Sequence, residues 1–346
     1  MARCWRGRRV APPEARLESP PTVDGPARVA SRRANEAPVT AFDPLAEGRL
    51  ALFTGKGGVG KSTVVAALAM EAARRGRRPL VIELGHRASM QAVFGVESVG
   101  HEPVLVGGGV FASNIELDEA LRDYIADHVP VAALARRIAQ SRSLARFFEA
   151  APAVGEVLTL QRLEQLLAAT APDGRPRWDP ILVDFDATGH ALMFLELPKV
   201  FEGLVPDGPV RRLLDSFSAL LSDADQTRLH LVTLPGRLPV QETLELHARL
   251  EAEHAVQLGG MFVNRVPARP WEGSLATLDD LAARLDGEPA RDLALLRRAM
   301  ERHAWATEAV RRLDALPLPL VRLPELSTHL DHRALTALGR IAGGAQ

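Results

Sequence analysis

The sequence is poor in the residues that build redox and soft-metal centres. Its 346 residues include one cysteine, Cys4, which excludes an internal disulfide framework and any CxxC metal or redox motif. Lysine is nearly as scarce: Lys56, Lys61 and Lys199 stand against 39 arginines. An excess of either charge is also missing. With 42 basic and 43 acidic side chains the net charge is −1, which leaves no electrostatic footprint for nucleic acid or an anionic membrane. No apolar run approaches the roughly 18 residues of a membrane span, so no integral span and no nucleic-acid partner are expected. Where any cation would serve, this chain uses arginine. A retained lysine therefore marks a position with a stricter requirement.

Residues 1–47 differ from the rest. They carry eight arginines before position 40, many prolines and little periodic apolar pattern. Such a segment cannot bury enough surface to offset its ordering entropy, so it is read as a disordered Arg/Pro-rich tail. It lacks the continuous apolar core of a secretory signal, and a cytoplasmic protein is expected. The domain is placed at 48–346.

From residue 50 onward, apolar strand-like runs alternate with helical stretches. Leu50–Thr54, Pro79–Glu83, Val110–Ile115, Ile181–Phe185, Leu229–Leu234 and Leu258–Val263 read as strands. Leu318–Leu323, interrupted by prolines, reads as a strand at an edge or terminus. Helical patterns cover Ser62–Arg75, Val240–Glu253 and Arg291–Leu313, and 117–170 reads as consecutive helices. Near-continuous apolar strands alternating with helices predict an α/β fold: a doubly wound, mostly parallel sheet flanked by helices on both faces, with a helical insertion at 117–170.

Gly55-Lys56-Gly57-Gly58-Val59-Gly60-Lys61-Ser62-Thr63 follows a predicted strand and opens a predicted helix, the context that gives GxxxxGK[ST] its meaning. Glycines let successive backbone N–H groups converge on phosphate oxygens, and the helix start adds a partial positive charge. Lys61 should reach the β- and γ-phosphates, Ser62 should ligate Mg²⁺, and Thr63 can contact the α-phosphate. Arginine's broad planar fork cannot replace a compact ammonium there. Ile181–Phe185 ends in Asp184 and reads as a strand whose aspartate holds Mg²⁺ through water.

Lys56, one residue after the first glycine, makes this a deviant form of the loop. On these residues the chain resembles the deviant Walker A P-loop ATPases. Asp184-Phe185-Asp186-Ala187-Thr188-Gly189-His190 resembles the DxxxTGH switch of the arsenite-pump and tail-anchored-protein-targeting branch. Val263-Asn264-Arg265 resembles the adenine-reading segment of that branch, with Asn264 facing the base. Leu323-Pro324-Glu325 resembles the loop that packs on adenine, with Pro324 against the ring. The resemblance covers roughly 49–340. It implies an ATP- and Mg²⁺-dependent ATPase, a homodimer or a heterodimer with a related ATPase, and Lys56 reaching across to the partner's nucleotide. The stretch from Val110 to Thr170 fits the family's helical insertion, which forms a client groove in targeting members.

The chain departs from that pattern in two places. The expected switch I aspartate falls on Gly85, which has no side chain to position water, so hydrolysis should be slow. Glu83 and Asp186 are the nearby acidic candidates. With Cys4 as the single thiol, neither a thiol site for arsenite nor a paired CxxC zinc clamp is available. His329-Leu330-Asp331-His332 reads as an exposed helix start, and Lys199 as a solvated helix start after Pro198. The function implied is an ATP-driven switch coupled to an unidentified protein client or partner. A nucleotide-dependent binding module with little hydrolysis, or a partitioning-type ATPase, are the alternatives. A guanine-specific reading lacks its Asn-Lys-x-Asp, and a reductase lacks its cluster cysteines.

Overall fold

Four apolar residues and Thr54 form strand β1 (Leu50–Thr54), and every one of them is buried. The strand can be apolar on both sides because the sheet is covered on both faces. Leu50 and Leu52 join one core with Leu80, Ile82, Ile181 and Val183. Ala51 and Phe53 join the opposite core with Val81, Leu182, Val232 and Phe262. This alternation is what a central parallel strand requires.

The computed structural model describes residues 42–46, 48–84, 88–116, 119–123, 152–185, 188–203, 206–253, 256–327 and 329–344. The other strands are β2 (Leu80–Leu84), β3 (Val104–Gly107), β4 (Val110–Ile115), β5 (Ile181–Phe185), β6 (Thr227–Thr233), β7 (Leu258–Val266) and β8 (Leu320–Pro324). They form an eight-stranded sheet in the order β3-β4-β2-β5-β1-β6-β7-β8. All pairings are parallel except β3 with β4. This is the expected doubly wound P-loop architecture, with β8 at an edge as its prolines suggested. Strand β3 is an addition to the sequence reading. It is a short antiparallel edge whose Val104 and Leu105 are exposed.

Helix α1 (Lys61–Arg74) follows β1 and is buried along most of its length. Alanine-rich and free of internal glycine and proline, it suits both helix formation and close packing. It packs with α2 (Ser89–Phe94) and with α9 (His332–Ala342) on one face of the sheet. The approach of α9 is close: a Cβ on Gly339 would lie 2.3 Å from the Ala67 carbonyl oxygen. Asp331 caps α9, accepting the Ala334 N–H at 2.8 Å, which is the helix start read from 329–332.

The opposite face carries α3 (Pro152–Ala168), α4 (Thr188–Val200), α5 (Pro209–Ser222), α6 (Arg237–Glu253) and α8 (Glu288–Leu313), with α7 (Leu275–Ala282) packed against α8. In the insertion assigned to 117–170, a helical turn at 119–123 and helix α3 are described. Val157, Leu158, Leu160, Leu163 and Leu166 of α3 are buried in the core. Burying each such leucine contributes about 1.5–3 kcal/mol. Residues 124–151 of the insertion, and the tail assigned to 1–47 apart from 42–46, lie outside the described residues.

Two expectations need correction. Leu45 is 2 % exposed and its carbonyl accepts a hydrogen bond from Arg77, so 42–46 pack with the unit Ala41–Gln346 instead of belonging to a tail. Lys199 sits in the last turn of α4, not at a helix start, and donates to the Glu253 carbonyl. Pro198 lies inside that helix. Near the end of α1, Glu71 accepts from Arg74 and Arg75, and Arg75 also donates to Asp43 and to the Gly343 carbonyl. Its hydrogen bond from Arg74 foremost, opposed by burial, holds the Glu71 carboxyl below the usual range. Among the described residues no helix is long and apolar enough to cross a membrane.

Candidate nucleotide site

The sheet order reverses direction around β1. From β1 the chain steps to β2, two places to one side, and later to β6 on the other. Open α/β sheets bind ligands at the carboxyl ends of strands flanking such a switch point. The glycine-rich loop leaves β1 there, and Asp184 sits near the end of β5 beside it. The register pairs Asp184 with Phe53 of β1 and with Glu83 of β2. A cavity of about 230 Å³ opens at this point, lined by the loop, Glu83, Ser89, Asp184 and Arg265.

The loop's conformation follows from its glycines, most clearly at Gly60. It caps α1 in the left-handed region (φ 89°), and a Cβ there would lie 2.3 Å from the Asn264 amide nitrogen. A side chain at this position would meet both backbone strain and a clash. The Lys61 ammonium, on a residue 5 % exposed, donates to the carbonyls of Gly55 at 3.0 Å and Lys56 at 3.3 Å. The loop thus holds its own cation over the crevice. The Ser62 hydroxyl donates to Asp184 Oδ2 at 2.5 Å, which leaves the hydroxyl lone pairs to face a cation. A hydroxyl and a carboxylate in contact at the start of a helix make a hard-oxygen donor set, and this fits Mg²⁺. Ser62 and Asp184 are the residues that would hold it. Thr63 and Gly58 also line the cavity, Gly57 is exposed, and Val59 is buried beneath the loop.

Lys56 does not line this cavity. Its ammonium pairs with Glu242 of α6, and the lysine side chain remains 51 % exposed. Asn264, 4 % exposed, donates from Nδ2 to the Val59 carbonyl at 2.9 Å, and its Oδ1 accepts the Arg265 N–H at 3.0 Å. Pro324 ends β8 opposite Val266 and is exposed. The structure therefore brings Lys61, Ser62, Thr63 and Asp184 together around one cavity, with Asn264 and Pro324 on the adjoining strand ends. Gly85 and Asp186 lie outside the described residues. Thr188-Gly189-His190 opens α4, with Thr188 part-buried and Gly189 exposed.

Two further residues of the site take their place only in three dimensions, Arg265 and the acidic candidate Glu83. Arg265 has φ 58°, unusual for a residue with a side chain, and lines the cavity beside the loop. It also lines a neighbouring cleft of about 730 Å³ with Arg237, Arg302 and Trp305. Glu83, 3 % exposed, accepts the Met90 N–H at 3.0 Å on Oε1. Burial pushes its carboxyl up to about 7, with the Asp184 charge adding to the rise and the Met90 hydrogen bond opposing it. The positive φ of Arg265 has no counterpart in composition or spacing. Glu83 could be named as an acid from sequence, but its place depends on strand register.

Elsewhere among the described residues, His101, Glu102 and Asp123 bring three metal-capable groups together. Arg162 already bonds Glu102 at 2.7 Å and approaches Asp123 at 3.4 Å, so a cation of the protein's own fills that place.

Comparison with known proteins agrees with this geometry. Residues 48–207 match the family model described as Anion-transporting ATPase. The chain is 31% identical over 317 residues to ATPase BagA of Mycobacterium tuberculosis, covering 84% of this chain and 91% of that protein. It is 28% identical to an arsenical pump-driving ATPase of Acidiphilium multivorum, over 78% of this chain and 50% of that protein. A protein of the same description from Escherichia coli is 29% identical over 58% of this chain and 36% of its own length.

Proposed function

The chain belongs to the anion-transporting ATPase family, and from that premise we propose that it is a Mg²⁺-dependent dimeric ATP switch whose nucleotide state governs binding of a protein client or partner. The observation that carries this reading is the contact of Ser62 with Asp184 at the foot of a loop that already holds Lys61. In this reading Lys61 exchanges its loop carbonyls for the β- and γ-phosphates, as a buried ammonium does when a better anion arrives. The N–H groups of Gly57 to Thr63 surround the phosphates, and Ser62 and Asp184 order the cation. Held by these residues, Mg²⁺ would supply charge neutralisation to the phosphates. Asn264 and Pro324 lie toward the adenine, and Lys56 reaches a second subunit.

Turnover is slow in this reading, because Gly85 offers no side chain to the attacking water. Glu83, two residues before Gly85, and Asp186, directly after the β5 strand, are the acidic candidates. Metalloid ligation through thiols is not part of the proposal. The pump-driving relatives are described by what they drive, whereas this chain has Cys4 as its only thiol.

Fluorescent ATP binding with and without Mg²⁺, followed by sedimentation in ATP against ADP, tests the reading. Wild type should bind tightly only with Mg²⁺ and sediment as a dimer in ATP. Lys61→Ala should lose affinity by 100-fold or more. Binding that is indifferent to both Lys61 and Mg²⁺ would remove the proposal. Affinity capture in each nucleotide state, read by the proteins retained, then identifies the client class.

A further inference from the structure

Asp184 apart, Glu83 is the acidic residue that lines the phosphate cavity among the described residues. Three observations set it apart from an ordinary strand-end acid. It is 3 % exposed, yet Oε2 has no hydrogen-bond partner while Oε1 is held by the Met90 N–H at 3.0 Å. It is the register partner of Asp184 on the neighbouring parallel strand, so two carboxylates face one small cavity. No ion pair of Glu83 with a cationic side chain is present among the described residues, although arginine is abundant in this chain. A carboxylate held by Met90 with Ser89 beside it, lacking a cationic partner and with Oε2 accepting no hydrogen bond, has an acceptor oxygen kept for something that enters the cavity.

We infer that Glu83 is the carboxylate that receives and orients the water attacking the γ-phosphate. This inference rests on the ATP reading above and names the hydrolytic group within it. A phosphoryl-transfer site needs a residue that positions the nucleophile, separate from those that hold phosphate and cation. Lys61, Ser62 and Asp184 take the latter roles, and Glu83 is the remaining acceptor on the cavity wall. In the assigned step, the water oxygen bonds to the γ-phosphorus as the bond from phosphorus to the β,γ-bridging oxygen breaks. The electron pair of that bond leaves with ADP. The water proton passes to Glu83 Oε2 and from there to solvent. Met90 fixes the carboxylate through Oε1, so the oxygen that works is not the one that anchors.

Glu83→Gln tests this with little change of shape. Its amide oxygen can still accept the Met90 N–H, while the amide nitrogen donates where Oε2 accepted. The expected result in single-turnover measurement is a fall of about 100-fold or more in hydrolysis rate. Fluorescent-ATP affinity, its Mg²⁺ requirement and the thermal midpoint should stay close to wild type. Glu83→Asp, shorter but still a carboxylate, should recover part of the rate. Hydrolysis by Glu83→Gln within about threefold of wild type overturns the inference. A tenfold rise in the Mg²⁺ needed for binding also overturns it, because Glu83 would then serve the cation. If the Gln variant fails to fold, Glu83→Asp decides, and an undiminished rate overturns the assignment. A wild type that binds ATP but never hydrolyses it defeats this inference and leaves nucleotide binding standing. A wild type that binds no ATP defeats the underlying function instead.

Discussion

Asn264 and Val59 are 205 residues apart in sequence, and the Asn264 side chain donates to the Val59 carbonyl at 2.9 Å. Strand β7 thereby clamps the glycine-rich turn. For Asn264 to read adenine, its amide must share or exchange this bond. The substitution Asn264→Ala therefore removes two contributions. Losing the clamp should weaken ATP and GTP alike by about fivefold, the worth of one ordinary hydrogen bond. Losing base recognition should weaken ATP alone by a further factor. The ratio of ATP to GTP dissociation constants measures the second contribution. An unchanged ratio would assign Asn264 to the loop only.

The Lys56–Glu242 pair makes a second prediction. Half-exposed ion pairs contribute at most about 1 kcal/mol, so this contact is readily released. Lys56→Ala should leave nucleotide affinity within about threefold and abolish ATP-dependent association, if Lys56 works across a dimer. Glu242→Gln should free the ammonium and shift association to protein concentrations up to about fivefold lower. Sedimentation across a dilution series in ATP reads both effects.

Acid sensitivity follows from His230. Its ring is fully buried on β6, stacked on Phe53 with centroids 5.0 Å apart and near Phe262 at 5.8 Å. Neither ring nitrogen has a hydrogen-bond partner. Burial, with the Arg228 charge adding to it, pushes the imidazole down to about 3 from 6.5. Between those values the unfolded chain binds a proton that the folded one refuses. Stability should thus be unaffected by this group above pH 6.5 and fall by about 1.4 kcal/mol per unit as pH drops from there toward 3. Denaturant titrations at pH 7.5 and 4.5 should show His230→Phe losing less stability on acidification than wild type.

Gly85→Asp should raise the single-turnover rate tenfold or more by restoring a side chain to the switch. In a Glu83→Gln background it should restore hydrolysis. Equal and fast hydrolysis by wild type and Gly85→Asp would show that Gly85 is no impediment.

Most of the fold was legible because buried parallel strands write their burial directly into sequence. Leu50–Thr54, Val110–Ile115 and Ile181–Phe185 are mostly apolar runs, and their ends coincide with the strands observed. Strand β3 was not legible: four residues long and half exposed, it owes its form to pairing with β4. Pro198 misled the reading of Lys199, since proline favours a helix start but is here carried inside the end of α4. In the site, the contiguous loop and the strand ending in Asp184 could be read from spacing alone. The Asn264 clamp, the left-handed Arg265 and the unpartnered oxygen of Glu83 could not, because each depends on which strands lie side by side.

The network at the end of α1 has a consequence for engineering. Arg75 joins Asp43 to the Gly343 carbonyl, so the first and last described stretches lie side by side. Helix α1 separates that junction from the phosphate loop by its 14 residues, about 20 Å at the usual rise per residue. A circular permutant joining Gly344 to Phe42 through a short linker, and opened at an exposed loop far from the crevice, should keep nucleotide affinity. The site would then tolerate new chain ends placed wherever a label or a tether is wanted.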